Sequence, residues 1–587
     1  MIGKPGLWRT LRLSVALVVA VAAANLGAAR ADGGLVATGS EGMVVSAERN
    51  ATEAGVAVLR AGGNAVDAAV AVAYALAVTH PTAGNIGGGG FMVISMADGR
   101  ATTIDYREVA PIGATADMYQ LDGDVVEGRS MIGGLAAGIP GTVAGLEMAR
   151  ERYGTKPHRE LVQDAIRLAR DGHRLDEEHA DDMAEVRVAM RAFPSAFAIF
   201  AKDPDPYKAG ELWIQKDLAA TLQTLADEGP QSFYRGDLAK RLVKGVRKVG
   251  GIWTEDDLAG YKAVERAPLR FDYRGLQVIS MPPPSSGGVV LAQMLRASEL
   301  TGLHELSPAS TEEVHLYAEI ARRMYLDRNA WLGDPDFIAI PLAGLLDEGY
   351  LKERVADIDP KRATRTSSIG PGQPPGAVAT ASGSESGARP TPEGDHTTHF
   401  SVLDRWGNAV SNTTTLNLEF GAKAVIPGTG ILLNDQMDDF AAKPGTANAF
   451  GLVQGAKNAI APRRRMLSSM TPSILLDRGK VRFVVGSPGG SKIITTVFQV
   501  IHHVLDHGWS MERAVTAPRV HHQSTPDEIR IEPGALRQET IAALKDRGHT
   551  VTEREPWSAA HCIEVDKTSG AATGVVDPRE GGWAEGP

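Results

Sequence analysis

The sequence predicts an α+β fold in which stacked sheets are covered by helices. Three observations point there. Strand patterns occur near both ends of the chain, and residues 137–330 between them are mostly helical by period. An alternating strand pattern also begins abruptly at Thr397, directly after a segment dominated by Gly, Ser and Pro.

The elements follow in order. Residues 51–61 have a helical period stopped by Gly62-Gly63, and Asn64 then caps an Ala/Val-rich helix reaching about residue 78, with Asp67 in its first turn. Pro81 closes that helix, a glycine-rich turn runs to Gly90, and strands follow at 91–95 and 103–106, the second delivering Arg107. Turns are marked at Pro140-Gly141 and from Pro282 to Gly288. Residues 366–395 hold too few large apolar side chains to offset their ordering entropy and read as a linker. Beyond it, 398–404, a turn at Arg405-Trp406-Gly407-Asn408 and 409–415 form a hairpin. A strand at 481–485 then runs through Gly486-Ser487-Pro488-Gly489-Gly490 into a helix.

Composition narrows the function. Among 587 residues, 43% are apolar and the net charge is −10, which leaves no basic field for nucleic acid or anionic lipid. Residues 1–31 read as an export signal: Lys4, Arg9 and Arg12 lead, an apolar run spans 13–26, and Ala29-Arg30-Ala31 makes a small-x-small cleavage site before Asp32. That run is too short for a permanent anchor, so no stable membrane insertion is expected and the destination is the periplasm or the medium. Cys562 is the single cysteine, so no disulfide forms within the chain.

The chemistry centres on Thr397. A threonine at a new amino terminus, freed by scission of the bond before it, carries its own base, because the α-amino group can deprotonate its hydroxyl. Alternation places Thr397, His399 and Ser401 on one strand face, and Thr413, Thr415 and, if the strand continues, Asn417 on one face of the partner. Taken alone, the threonine run is also what β-propensity produces. Gly489-Gly490 at a strand-to-helix junction either form an oxyanion hole or serve a tight turn needing positive φ. Ser487 lacks the glycine two residues earlier that a nucleophile elbow requires, since Val485 stands there. Residues 87–90 lack the features of a phosphate loop and read as a structural turn. His503 and His507 lack the HExxH glutamate and read as a solvated helix end, Arg463-Arg464-Arg465 as a solvated loop, and Cys562 as packing. No metal or other cofactor is expected.

Several ordered motifs now coincide: Gly62-Gly63-Asn64-Ala65-Val66-Asp67-Ala68-Ala69, residues 80–90, Asp105-Tyr106-Arg107-Glu108, Thr397-Thr398-His399, Asn434-Asp435-Gln436-Met437-Asp438-Asp439-Phe440, Leu467-Ser468-Ser469-Met470 and Gly486-Ser487-Pro488-Gly489-Gly490-Ser491. With them the mature chain resembles the γ-glutamyltranspeptidases, or glutathione hydrolases, of the N-terminal-nucleophile superfamily. The resemblance implies a four-layer αββα sandwich and self-cleavage at His396-Thr397. The products are a large subunit, 32–396, whose 366–396 end is a flexible linker, and a small catalytic subunit, 397–587, held together as one compact heterodimer. It further implies that Thr397 attacks γ-glutamyl amides such as glutathione, that Thr415 tunes it, and that an acyl-enzyme passes to water or to an amino-acid or dipeptide acceptor. By the same resemblance Arg107, Ser468 and Ser469 take the substrate α-carboxylate, Asp439, Asn417 and Gln436 its α-ammonium, and Gly489 and Gly490 the oxyanion. One departure stands out: where many bacterial members carry a lid tyrosine, this chain has Phe450, which covers a pocket without donating a hydrogen bond. Two alternatives are a glutaryl-cephalosporin-type acylase of the same superfamily and a non-catalytic exported solute-binding protein, the last predicting an uncut chain.

Overall fold

The computed structural model describes residues 33–378 and 396–587. The export-signal reading and most of the Gly/Ser/Pro stretch fall outside the described residues. Two seven-stranded antiparallel sheets stack face to face. The first runs in the order Trp583–Glu585, Gly42–Ser46, Thr397–Asp404, Ala409–Thr415, Gly89–Ser95, Ala101–Asp105 and Val264–Arg266. The second is Val36–Gly39, Ala572–Val576, His561–Val565, Lys480–Val485, Ser473–Asp477, Leu276–Ser280 and Leu269–Tyr273.

Period-two alternation decides which side chains enter which layer. Met43, Val45, Val93 and Leu403 meet Ile279, Ile474, Val484 and Ile563 between the sheets. Their neighbours Val44, Met92, Ile94, Phe400 and Val402 face the other way, into the helices that cover the first sheet. With both faces covered, the central strands are buried throughout.

The helix Ala65–Thr79 lies against that outer face, and all of its residues are buried. Asn64 Oδ1 accepts from the N–H groups of Val66 and Asp67 at 3.0 Å, and Asp67 answers by accepting from Asn64 N at 2.9 Å, so the capping box closes the first turn. Small Ala and Val side chains let the helix approach its neighbour Arg49–Arg60 closely. That neighbour starts earlier than its period indicates because the Glu48 carboxylate accepts from Ala51 N at 3.0 Å and acts as its cap. Helices Gly287–Thr301, Thr311–Trp331 and Ile493–Leu505 cover the second sheet. The observed order is helix, sheet, sheet, helix. Among the described residues no helix is long and apolar enough to cross a membrane.

Several expectations are corrected. The region read as helical contains the short strands Val264–Arg266, Leu269–Tyr273 and Leu276–Ser280, the first two at sheet edges; Leu269, Phe271 and Tyr273 alternate with exposed Arg270 and Asp272, a period-two pattern that the helical reading passed over. The linker expected from residue 366 is anchored through its first part: Thr366 N donates to Asp527 Oδ2 at 2.8 Å, and Gly372 N donates to Asp327 Oδ1 at 2.8 Å. Arg464 and Arg465 are buried rather than solvated, with Arg465 Nε 3.3 Å from Asp105. His503 and His507 are half-buried rather than solvated, with His503 Nδ1 withdrawn from solvent and the His507 side chain 5% exposed. Cys562, by contrast, packs in the core as expected, where burial pushes its thiol up to about 12.

Candidate active site

Thr397 is the first residue of its strand and pairs with Thr415, the last of the neighbouring one. Both therefore sit at the rim of the sheet, where side chains leave the sandwich and face a pocket. The strand does not continue to Asn417, as the face reading supposed. Asn417 adopts φ +90, a conformation Asn tolerates better than most residues. That bend turns its N–H back onto Thr415 Oγ1 at 2.9 Å and still leaves its side chain on the pocket wall. Thr397 Oγ1 donates to Thr415 Oγ1 at 3.2 Å, and Thr415 Oγ1 donates to the carbonyl oxygen of His396 at 2.8 Å. The peptide bond preceding Thr397 thus has its carbonyl polarised by the same hydroxyl that contacts Thr397.

The pocket, of about 320 Å³, is lined by every candidate named from sequence except Gly489. Arg107 reaches it from the end of strand Ala101–Asp105. Its Nη2 donates to Asp439, and Nε and Nη2 approach the carbonyls of Met466 and Leu467 at 3.4 Å. Buried Arg107 Nη1 has no hydrogen-bond partner among the described residues and lies 3.9 Å from Glu108. Glu108 is itself buried, and desolvation, opposed by Arg107, pushes its carboxyl up to about 8. Gln436 Nε2 donates to Asp439 at 2.7 Å and to Asn417 Oδ1 at 3.1 Å. Asp439, Gln436 and Asn417 therefore form one polar wall, and Arg107 closes one end of it.

Ser468 and Ser469 form the opposite wall. The Pro-rich turn holds them: Ser468 N donates to Pro284 O at 3.0 Å, and Ser286 Oγ donates to Ser468 O at 2.6 Å. Arg328 completes the wall and was not identified from sequence. Its Nη2 donates to Ser469 Oγ at 3.0 Å and its Nε to Ser286 Oγ at 2.8 Å. Burial lowers the Arg328 guanidinium to about 10. The available signal was positional, since Arg328 shares a helix face with Met324, Tyr325 and Trp331, all buried.

Gly489 and Gly490 sit where strand Lys480–Val485 passes into helix Ile493–Leu505, at φ +123 and +54. A side chain is excluded at both. A Cβ on Gly490 would stand 2.5 Å from the Phe450 ring, and one on Gly489 1.7 Å from Ser558 Oγ. Phe450 thus lies directly over the glycine turn. Its N–H donates to Asn448 Oδ1 at 3.1 Å, and its carbonyl accepts from Gln523 Nε2 at 3.1 Å. Asn448 Nδ2 reaches Asp439 Oδ1 at 3.3 Å, which ties the covering segment to the acidic wall.

A strand-heading threonine in an αββα sandwich, facing a buried Arg/Asp pocket across from helix-terminal glycines, defines an N-terminal-nucleophile hydrolase. The Gamma-glutamyltranspeptidase family model matches residues 51–586. The glutathione hydrolase proenzyme of Pseudomonas sp. (strain A14) is 46% identical over 530 residues, 90% of this chain and 89% of that one. That of Escherichia coli (strain K12) is 44% identical over 541 residues, 92% and 90% of the two chains. Among solved structures, the cephalosporin acylase from Bacillus halodurans superposes with a TM-score of 0.81 at 25% identity, covering 94% of this chain and 97% of that chain. The chain belongs to the γ-glutamyltranspeptidase family.

Proposed function

We propose that the chain is an exported proenzyme that cuts itself between His396 and Thr397 and then hydrolyses or transfers γ-glutamyl groups, glutathione being the reference donor. The observation that carries the reading is the hydrogen-bond chain from Thr397 Oγ1 to Thr415 Oγ1 to the His396 carbonyl, at 3.2 and 2.8 Å. In the first reaction Thr397 Oγ attacks that carbonyl and the C–N bond breaks, which frees the α-amino group and leaves His396 as an ester on Oγ; water then hydrolyses the ester, releasing the His396 carboxylate and restoring the Thr397 hydroxyl. An amine of pKa near ~8 then takes the proton from Oγ around neutral pH.

In the second reaction the γ-amide carbon of the donor sits at Thr397. Its α-carboxylate lies against Arg107, including the unpartnered Nη1, with the hydroxyls of Ser468 and Ser469. The α-ammonium lies against Asp439, Gln436 and Asn417. The oxyanion faces the amides of Gly489 and Gly490, where one donor is worth about 3 kcal/mol. The amine leaves, and the acyl-enzyme passes to water or to an amino-acid or dipeptide acceptor. Residues 1–31 direct the chain to the periplasm or medium, and the two products of cleavage stay together as a heterodimer.

The acylase reading is favoured by the likeness to a cephalosporin acylase. Asp439 counts against it, because a glutaryl group brings no ammonium to that carboxylate. Purified protein run under denaturing conditions should give two bands, the smaller beginning Thr-Thr-His-Phe. Thr397→Ala should give one full-length band and no turnover of γ-glutamyl p-nitroanilide. Normal cleavage of that variant would remove Thr397 from the mechanism, and faster turnover of the glutaryl than of the γ-glutamyl anilide would transfer the chain to the acylases.

A further inference from the structure

The two helices that bring Arg328 and the glycine turn to the pocket meet again at their far ends. There Glu313, on the first turn of helix Thr311–Trp331, faces His502 near the end of helix Ile493–Leu505 and His507 just beyond it. Glu313 Oε1 lies 3.2 Å from His502 Nε2 and 2.8 Å from His507 Nε2, and the three ligand atoms all fall within 4.8 Å of one another. We propose that Glu313, His502 and His507 form a binding site for a divalent transition-metal cation, zinc being the best match.

Three features support a metal over a simple ion-pair cluster. Two imidazoles and one carboxylate are a donor set that suits zinc, and ligand atoms bound to it at 2.0–2.2 Å stand about 3.3 Å apart, close to the spacing already present. The groups are withdrawn from bulk water, with side-chain exposures of 10%, 4% and 5% for Glu313, His502 and His507. His502 also has the orienting partner that metal-binding histidines use: its Nδ1 lies 2.5 Å from Asp506 Oδ2. Asp506 is fixed in turn by Arg274 Nε at 2.7 Å and the Tyr273 hydroxyl at 2.5 Å. An Nδ1–H committed to Asp506 leaves the Nε2 lone pair available to a metal.

A fourth position opens on a largely apolar pocket of about 620 Å³ lined by Glu313 and His502 together with Leu303, Tyr317, Phe498 and Trp509. It admits water or a small anionic ligand. The second histidine cluster does not qualify. His315 Nδ1 meets His549 Nε2 at 2.8 Å, but Glu319 is already held by Arg322 and Arg323 and by the Thr364 amide.

The helical rise puts His502 about 18 Å along the axis from Gly490, too far to touch the chemistry at Thr397. The cation acts instead as a brace between the two helices.

Untagged mature protein, stripped with chelator and dialysed, should bind one equivalent of zinc by calorimetry with a dissociation constant below about 1 µM, and its melting temperature should rise with zinc. Cobalt should give the visible absorption of a four-coordinate site. His507→Gln and Glu313→Gln should each weaken zinc binding at least about 100-fold, and Asp506→Asn about 10- to 100-fold, while His507→Gln keeps γ-glutamyl turnover. No zinc uptake by stripped wild type would overturn the site and leave an ion-pair cluster. Equally, binding and a cobalt spectrum unchanged in His507→Gln would place the metal elsewhere.

Discussion

Asp439→Asn tests the polar clamp most directly. The Asp439 side chain is 12% exposed and contacts Arg107, itself 1% exposed, as well as Gln436 and Asn448. Asparagine preserves the shape and one acceptor oxygen but removes the charge proposed to meet an α-ammonium. Loss of one partner of a desolvated, hydrogen-bonded charge pair costs about 3–4 kcal/mol, which is a fall of about 150- to 1,000-fold in kcat/KM. The same substitution leaves Arg107 without its carboxylate, so part of any loss could reflect the pocket rather than the substrate. Glutaryl p-nitroanilide separates the two effects because it lacks the ammonium but keeps the carboxylate proposed to meet Arg107. The γ-glutamyl anilide should therefore lose about two orders of magnitude more than the glutaryl anilide, each normalised to titrated Thr397. Equal losses for both substrates would refute the assignment of Asp439 to the ammonium.

Three further outcomes can be checked. Phe450→Ala uncovers the glycine turn and should raise hydrolysis relative to transfer when a dipeptide acceptor is present; an unchanged product ratio would remove Phe450 from water exclusion. Gly490→Ala places a Cβ at φ +54, 2.5 Å from the Phe450 ring, and should lower kcat about 100-fold with little change in KM. A kcat within about threefold of wild type would exclude this turn from oxyanion binding. Burial lowers His561 to about 4, so the unfolded chain binds a proton below its ordinary value near ~6.5 while the native state does not. Stability from this group is thus present above pH ~6.5 and lost toward pH ~4. His561→Leu cannot titrate, and by urea unfolding it should gain about 2 to 3 kcal/mol on wild type between pH 7.5 and 4.5. Parallel pH profiles would refute this.

Local rules made much of the framework legible. Asn64 and Asp67 mark a helix start because capping is satisfied within four residues, and the hairpin from Thr397 to Thr415 is readable because alternation and its turn lie within nineteen residues. The strands between residues 264 and 280 are short and sit inside a helical region, and the partner that ties Leu276–Ser280 into its sheet, Ser473–Asp477, lies nearly two hundred residues away. Arg328 looked like any helical arginine until Ser286 and Ser469 were brought to it. The same holds for His507, whose relevant neighbour is Glu313 on another helix rather than His503.

The sequence by itself determined which residues of the Thr397–Thr415 hairpin share a face, the place where a threonine heads a strand, and the ordered motifs that mark the family. Those depend on backbone geometry and side-chain chemistry within a few residues. Tertiary structure alone decided that Arg107, Arg328, Thr397, Asp439, Ser468 and Gly490 line one pocket, and that Thr415 reaches the His396 carbonyl. It decided these because a pocket forms where separate elements pack, and packing distance has no fixed relation to separation along the chain.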